Sequence, residues 1–478
     1  MGKHQTAHGT IDLFMIFLDL SIRLTKKCSM KKIAFVALNS SWSQSNLALY
    51  YMREMIRDLD FDMVLASFSM NEPFMQILQG IYSLKADVIC LSAYIWNRMI
   101  LSRLQHELSK IMPRVIFVIG GPEVGHFEGR KRCHIIHGPG EATFRALAEA
   151  DFKVDATVKP EPISLKDIPF PYVESDQAQL AGHLVYYESY RGCPYRCIYC
   201  LSSCDERREP RFVPSVPAEI HKLQSELKRL SGLRPRTLKF IDRSFNLQKD
   251  LAHAIYRYIL QENPEHDSHF EIYPDLLDES DFEILEKIPE GKIRFEIGIQ
   301  STNSEVLSRC GRHSDWDKAR KAMNRLKAST QVRIHADLIA GLPGEDLTSV
   351  LRSIDELCAC EPAAIQLGML KVLPDTPMND MAKDLSYIWL DDPPYQVMVS
   401  NALTYDELCL LDVYAHLLSL YWNKEEFTDL WHDLLKEHPA SLILKALRDL
   451  HIHHSLPFHS VSRDKRFEIM EELKDHLY

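Results

Sequence analysis

Residues 190–200 read Tyr190-Arg191-Gly192-Cys193-Pro194-Tyr195-Arg196-Cys197-Ile198-Tyr199-Cys200. Within them Cys193, Cys197 and Cys200 follow a C-x3-C-x2-C spacing, with an aromatic residue directly before the last cysteine. Three thiolates this close together can hold three of the irons of a [4Fe–4S] cluster. The fourth iron is then open to a substrate, so the spacing predicts a catalytic cluster rather than a structural one.

A zinc knuckle is the alternative interpretation of these cysteines. Structural zinc takes four ligands, and Cys204 could supply the fourth. The alternation of strands and helices that follows the cysteines predicts a barrel, and this context favours the cluster.

Length and composition predict a globular protein of two or three domains. The chain has 478 residues, 46% of them hydrophobic and 26% charged, and a formal net charge of -11. Because phosphate binding needs clustered Lys and Arg, the absence of a long basic segment disfavours DNA as a partner. The eleven cysteines are otherwise scattered, which is typical of a reduced compartment, and we expect a cytoplasmic protein.

The chain divides into five predicted parts: an extension (1–29), a first domain (30–150), a linker (151–182), a second domain (183–378) and a third domain (379–478). The apolar run 13–18 in the extension is too short to span a bilayer, and we expect no membrane partner. We interpret 1–29 as a non-native or disordered extension, with translation starting at Met30.

The first domain alternates apolar runs with amphipathic stretches, which predicts a doubly wound parallel sheet. Candidate strands are 33–38, 63–68, 87–92, 115–119 and 134–137. Ligands of such sheets bind at the carboxyl ends of the strands. Here those ends carry small or polar residues: Asn39, Ser92, Gly120, Gly121 and Gly138.

Proline at 160, 162, 169 and 171 marks the linker. Six further candidate strands follow, at 184–190, 237–242, 269–273, 293–298, 332–339 and 364–370. They predict a partial (β/α)6 barrel of the TIM type, with the cysteines after its first strand. Residues 379–478 space their apolar residues at three and four, which predicts an all-α region.

The cysteine motif after an apolar strand resembles the signature of the radical S-adenosylmethionine (SAM) enzymes. The resemblance implies that Cys193, Cys197 and Cys200 hold a [4Fe–4S] cluster whose open iron binds SAM for reductive cleavage. It also implies an external electron donor of the flavodoxin or ferredoxin type. The implied SAM contacts are Tyr199, Asp242, Gln300, Ser301, Ile339 and Gly341.

The first domain resembles Rossmann-like, flavodoxin-like cobalamin (B12) domains, which place a serine after the third strand and Gly-Gly after the fourth. Here these are Ser92, Gly120 and Gly121, and Gly138 begins the loop after the fifth strand. In those domains a D-x-H-x-x-G element after the first strand supplies a histidine to cobalt. This chain lacks that element: its loop after the first strand begins at Asn39 and contains no histidine. If cobalamin binds, we expect its cobalt to lack histidine from this loop. The alternative is a degenerate domain that binds nothing.

Together these resemblances imply a cobalamin-dependent radical SAM enzyme, of a subgroup with a helical C-terminal domain of unknown function, that methylates an unactivated carbon of an unknown substrate. Three alternatives stay open: cyclisation or rearrangement without net methylation, a methylthiotransferase, and a non-catalytic cobalamin-binding module. The methylthiotransferase is disfavoured, because the first domain has only Cys90 and Cys133. We expect a substrate cavity between the two strand-end edges, bordered by Asn39, Trp42 and Tyr94 on one side and Arg243 on the other.

Overall fold

The computed structural model describes residues 30–154, 158–205 and 207–477. The predicted extension, residues 1–29, lies outside the described residues, so its interpretation stays a prediction.

The first domain is a five-stranded parallel sheet with the order β2-β1-β3-β4-β5. Its strands are β1 (Lys32–Asn39), β2 (Asp62–Ser69), β3 (Val88–Ser92), β4 (Ile116–Gly120) and β5 (Cys133–Ile136), and its helices are α1 (Leu47–Met55), α2 (Phe74–Ser83), α3 (Arg98–Ile111) and α4 (Glu141–Glu149). This is the predicted flavodoxin-like arrangement. Residues 33–38 of β1 are all apolar because helices cover both faces of the sheet.

The two faces of this sheet belong to different apolar cores. Ile33 and Phe35 of β1 contribute to a core that continues into the barrel and the C-terminal helices. Ala34 and Val36, which point the other way, pack in a separate core beneath α2 and α3. The apolar core on one face of the sheet is therefore continuous with the rest of the molecule, whereas the core on the other face is separate.

The second domain is a six-stranded parallel sheet with the order β13-β12-β11-β10-β9-β6, as expected for a partial (β/α)6 barrel. Its strands are β6 (Leu184–Tyr187), β9 (Thr237–Phe240), β10 (Asp267–Ile272), β11 (Ile293–Gln300), β12 (Arg333–Ala340) and β13 (Ala364–Met369); a small ladder of β7 (Tyr190–Arg191) and β8 (Glu209–Pro210) flanks the cysteines. Its helices, with the short α5 preceding β6, are α5 (Gln177–Leu180), α6 (Pro217–Gly232), α7 (Lys249–Glu262), α8 (Glu279–Leu285), α9 (Ser304–Arg309), α10 (Trp316–Ser329) and α11 (Leu347–Cys358).

Alternation along the barrel strands separates an apolar from a polar side. Phe240, Phe270 and Phe295 are fully buried in the apolar core. Their neighbours on the other side are charged: Lys239 Nζ lies 2.7 Å from Oε2 of Glu296. The interior of the barrel therefore carries paired charges, which can meet polar ligands.

The C-terminal region is mainly helical but not purely so, which corrects the all-α prediction. Its helices are α12 (Pro377–Asp384), α13 (Tyr405–Leu417), α14 (Thr428–Glu437), α15 (Ala440–His453) and α16 (Arg463–Leu477). Between α12 and α13, β14 (Ile388–Trp389) and β15 (Val397–Val399) form an antiparallel pair. Strands of two and three residues are too short to give a period-two signal, so the sequence pattern missed them. No helix among the described residues is long and apolar enough to cross a membrane.

Candidate active site

A cavity of about 930 Å³ lies between the carboxyl edge of the first sheet and the carboxyl ends of the barrel strands. From the sheet it is lined by the loops after β1, β3, β4 and β5. From the barrel it is lined by the segment around the cysteines and by the ends of β9 and β10. The two domains thus share one cavity, and Asn39, Tyr94 and Arg243 border it as expected from the sequence.

Trp42, which we expected at this cavity, is not among its lining residues. Its side chain is 71% exposed and packs edge-on against His183, with ring centroids 5.2 Å apart. The hydrogen bond from Leu184 N to Ser43 O ties the loop after β1 to the start of β6. This attachment places Trp42 on the outer surface beside the start of the barrel.

All five residues assigned to cobalamin line the cavity: Asn39, Ser92, Gly120, Gly121 and Gly138. The amide of Asn39 donates to Gln44 O at 2.8 Å and to Ser67 Oγ at 3.0 Å. Ser92 Oγ accepts a 2.7 Å hydrogen bond from Asn46 Nδ2. The structure brings these positions together, while their contacts to cobalamin stay predictions.

The three glycines have different reasons to be glycine. Gly138 has φ +64° and nothing within 4 Å of the place a Cβ would occupy, so its backbone is open. Gly121 has φ +104°, and a Cβ there would clash with the backbone of Ala93. The packing of the chain itself therefore requires glycine at 121. A Cβ at Gly120 would meet only ordinary contacts at 3.9 Å, so packing alone does not require glycine there.

These observations fit a cobalamin bound at the sheet edge. The volume of the cavity is in the range of cofactor sites. At Gly138 no atom lies within 4 Å of the place a Cβ would occupy, so a ligand can approach the backbone there. Tyr94 and Trp96 also line it and stack on each other, with ring centroids 4.3 Å apart and planes 7° apart. The loop after β1 contains no histidine, so a cobalt ligand of that kind is absent from it.

The cysteine loop is fixed by burial and by backbone contacts with neighbouring segments. Cys193 and Cys197 are buried and Cys200 is half-buried. Ile198 N donates to Cys310 O at 3.0 Å. Gly192 has φ +93°, and a Cβ on it would clash with the carbonyl of Arg207. The conformation of the loop therefore depends on glycine directly before Cys193.

The described residues contain no ligand set for a single metal ion at the cysteine loop. Among residues 30–154, 158–205 and 207–477, no three His, Cys, Asp or Glu side chains converge as ligands of one metal ion. In a [4Fe–4S] cluster each thiolate binds a different iron, so such convergence is not needed. The described residues therefore give no support to the zinc alternative.

A buried cation faces the cysteine loop. Arg312 is 6% exposed and donates to Tyr273 Oη and to Gly298 O. Burial would lower the pKa of Arg312, but the facing Tyr199, Tyr273 and Cys197 raise it, so the guanidinium stays charged. A fixed positive charge beside thiolates stabilises an anionic cluster.

None of the six residues assigned to SAM lines the large cavity. Tyr199 packs beside the cysteines, and its Oη has no hydrogen-bond partner among the described residues. Ser301 Oγ donates to Glu345 Oε1 at 2.5 Å. Gln300 has φ +68° and folds back over Gly298. These side chains surround the barrel ends, and their role towards SAM stays a prediction.

Ile339 and Gly341 continue this region at the end of β12. Ile339 is half-buried. Gly341 has φ +94°, and a Cβ there would touch Leu370, Val397 and Leu408. Its carbonyl accepts a 3.1 Å hydrogen bond from Tyr387 Oη. Gly341 thus packs against the C-terminal region.

The carboxylate of Asp242 is hydrogen-bonded within the chain, and its role towards SAM stays a prediction. It accepts hydrogen bonds from Ser189 N at 3.2 Å and from Ser189 Oγ at 2.9 Å, and it is 1% exposed. Burial raises its pKa to about 7. The neighbouring Arg243 instead extends into the cavity, where its guanidinium lies 3.4 Å from Oε2 of Glu271.

The cavity wall also contains a buried ion network that the sequence pattern did not predict. Arg191 donates to Glu188 Oε2 at 2.7 Å and to Glu141 Oε1 at 2.8 Å. All three side chains are nearly buried. The available signal was Glu141 at the end of a G-x-G-E element, but its partner could not be read from local spacing.

Comparison with known families assigns the three domains. Residues 35–148 match the B12 binding domain family and residues 187–357 the radical SAM superfamily. Residues 383–472 match a protein family of unknown function, DUF4080. The matches confirm both resemblances and the predicted cofactor set: the [4Fe–4S] cluster and SAM for the radical SAM domain, and cobalamin for the B12 binding domain.

Among curated proteins, the chain is 25% identical over 363 residues to the cobalamin-dependent radical SAM methyltransferase TokK of Streptomyces tokunonensis, covering 66% of this chain and 51% of that protein. The chain thus spans about half the length of this relative. Among solved structures, it resembles the cobalamin-dependent SAM radical enzyme OxsB with aqua-cobalamin and SAM bound (TM-score 0.65, 15% identity, 95% of this chain and 80% of that one).

It also resembles the radical SAM methyltransferase TsrM of Kitasatospora setae with tryptophan substrate and a SAM analogue bound (TM-score 0.59, 17% identity, 75% of this chain and 77% of that one). At these identities the likeness to the two structures concerns the fold. The chain therefore contains a radical SAM domain, preceded by a B12 binding domain and followed by a DUF4080 domain.

Proposed function

We propose that this protein is a cobalamin-dependent radical SAM methyltransferase that methylates an unactivated carbon of a substrate still to be identified. The observation that carries the proposal is the single cavity shared by the sheet edge and the barrel ends. In this arrangement the substrate can lie between the two cofactor sites. The name of the curated relative TokK supports methylation as the outcome.

When bound, the cluster supplies the electron that cleaves SAM, and cobalamin supplies the methyl group. The chain's own residues prepare the site for this chemistry. Cys193, Cys197 and Cys200 hold the cluster, and the buried Arg312 offsets their charge.

Substrate contacts are proposed for the charged groups at the barrel mouth. Arg243 and Glu271 line the cavity together with Lys239. The guanidinium of Arg243 lies 3.4 Å from Oε2 of Glu271, and its side chain is 56% exposed within the cavity. It can therefore donate further hydrogen bonds to a polar substrate or to SAM.

The electron donor is proposed to be a flavodoxin or ferredoxin of the cytoplasm. Pro194 and Arg196 are exposed on the outer side of the cysteine loop, next to the buried Cys193 and Cys197. A donor docked on this side would be close to the cluster. Reduced flavodoxin should then support SAM cleavage at low salt and less at high salt, since exposed charges are screened.

Product analysis tests the function. The reconstituted protein is incubated anaerobically with methyl-deuterated SAM, reductant, cobalamin and a small-molecule extract of the native host. We expect 5′-deoxyadenosine, S-adenosylhomocysteine and a product with a deuterated methyl group. Cys197→Ala protein is the control and should form neither nucleoside.

Two results would contradict the proposal at different levels. 5′-Deoxyadenosine without S-adenosylhomocysteine or label transfer would replace methylation by a cyclisation or rearrangement. Absence of SAM cleavage in protein with a full iron content would contradict radical SAM chemistry itself.

A further inference from the structure

The antiparallel pair β14–β15 and the loop that joins them, residues 388–399, form a hairpin in the C-terminal region. This hairpin contacts the first domain through Tyr395. Its Oη donates to Oε2 of Glu123 at 2.7 Å and lies 3.2 Å from His126 Nε2. Tyr395 and Glu123 are each 3% exposed. A hydroxyl group of the third domain thus contacts a buried carboxylate of the first.

Arg98 provides a second link between the same two domains. Its NH2 lies 2.6 Å from Oδ1 of Asp392, and its Nε lies 3.6 Å from Oε2 of Glu123. Arg98 is itself buried. The guanidinium therefore lies between a carboxylate of the first domain and one of the hairpin.

Glu123 continues directly into the cavity wall. Its backbone N–H donates to Ala93 O at 3.2 Å, and Ala93 N donates to Gly120 O at 2.8 Å. Gly121 packs tightly on the backbone of Ala93. Gly120 and Gly121 line the cavity, whereas Glu123 and Tyr395 do not. A shift of Glu123 would therefore move the glycine wall without touching a ligand itself.

The hairpin is also fixed to the barrel. Val372 N donates to Tyr395 O, and Val397 N donates to Leu370 O, each at 2.9 Å. Leu370 directly follows β13, at the carboxyl end of the last barrel strand. The hairpin is therefore bonded through its backbone to the end of the last barrel strand, and through Tyr395 to the segment that follows the Gly120–Gly121 wall.

We propose that Tyr395 is a positioning residue for cobalamin: through Glu123 it holds the Gly120–Gly121 wall at the distance from the barrel that cobalamin needs. This inference rests on the proposed function and extends it to the DUF4080 domain. That domain is then part of the cofactor site's support, although none of its residues lines the cavity.

The test is the affinity for hydroxocobalamin, measured by absorbance titration under anaerobic conditions. Tyr395→Phe removes one hydroxyl group and keeps the ring. Without this hydrogen bond the Gly120–Gly121 wall is in place in a smaller fraction of the protein, and the apparent affinity falls with that fraction, so we expect Kd to rise about tenfold. Iron content should stay that of the unaltered protein, because the cysteine loop is untouched.

Tyr421→Phe is the matched control. Tyr421 Oη also makes a buried 2.7 Å hydrogen bond, to His451 Nε2, but both residues lie in the C-terminal region, Tyr421 in the π-helical segment Leu418–Trp422 that follows α13 and His451 in α15. The Tyr421→Phe variant should bind cobalamin with the affinity of the unaltered protein. Glu123→Gln should weaken binding, and its combination with Tyr395→Phe should bind no more weakly than the weaker single variant, because both changes break the same link.

The outcomes separate the two proposals. If the unaltered protein binds no cobalamin, the proposed function fails and the inference fails with it. If the unaltered protein binds and Tyr395→Phe binds equally well, only the inference is overturned. An equal loss of cobalamin affinity in Tyr421→Phe, or additive losses in the double variant, would also overturn the inference. The loss would then reflect a general destabilisation of the protein rather than the link between Tyr395 and Glu123.

Discussion

Arg191 NH2 lies 2.8 Å from Oε1 of Glu141, and this buried pair joins the strand before the cluster cysteines to the helix after β5. Cys193 is only two residues further along the chain from Arg191. The cluster loop and the sheet edge are thereby held in one fixed relation. Since both line the shared cavity, the pair helps to set the distance between the two proposed cofactor sites.

Glu141→Gln should weaken this connection without removing all of it, because Arg191 keeps its bond to Glu188. Loss of one charged hydrogen bond in a buried network should lower the stability by about 1–3 kcal/mol. The midpoint of thermal unfolding and the iron content after reconstitution measure the effect. Glu279→Gln, which breaks an exposed pair with Arg325, is the control and should change neither. Equal effects of the two changes would contradict the role of burial.

Replacing Cys193, Cys197 or Cys200 by Ala should remove the iron–sulfur absorbance and SAM cleavage, because each thiolate holds one iron. Cys204→Ala should retain both, although Cys204 lines the cavity. Its Sγ is 3.1 Å from Asp375 O, which gives it a partner outside the cluster. Iron content and absorbance spectra distinguish the four variants. Wild-type iron content in any of the first three would contradict the ligand assignment.

Gly120 and Gly121 should respond differently to substitution. Gly120→Leu should weaken cobalamin binding with little loss of stability, since a Cβ there meets only ordinary contacts at 3.9 Å. Gly121→Ala should destabilise the domain by about 1–3 kcal/mol, because its Cβ meets the Ala93 backbone at a positive φ. Thermal unfolding and cobalamin titration separate the two effects. Unchanged stability of Gly121→Ala would show that the loop can move aside.

Asp337→Asn should change how stability depends on pH. Burial, with Glu296 and Glu271 nearby, raises the pKa of Asp337 to about 8, and its Oδ1 has no hydrogen-bond partner among the described residues. Because the folded state holds this proton from about pH 4 to 8 and the unfolded chain releases it, the contribution of Asp337 to stability falls as pH rises through this window.

The variant should therefore gain stability relative to the unaltered protein between pH 4 and 8, up to a plateau above about pH 8. Thermal unfolding across this range measures the difference. Asp317→Asn, at an exposed position on α10, is the control and should show no such trend. A constant difference between the Asp337→Asn and unaltered proteins would contradict the raised pKa.

Local pattern determined the chain's two recognised domains and their order. The cysteine spacing at 193–200 and the small residues at the ends of the sheet strands are features of short segments, so they can be recognised in the sequence without a structure. Strand and helix periods are local too, and the parallel order of both sheets follows from their alternation. The positions predicted for cobalamin then meet at one edge because parallel strands end together.

Contacts between distant segments were decided only by the tertiary structure. Tyr395 and Glu123 are 272 residues apart, and nothing in either segment predicts the partner. The sequence likewise could not show that Ser189 donates a hydrogen bond to the carboxylate of Asp242, or that Arg243 lines the cavity. It also could not show that Ala93 explains Gly121. The physical reason is that a hydrogen bond or a clash depends on which surfaces pack together, whereas spacing and period record only the neighbours along the chain.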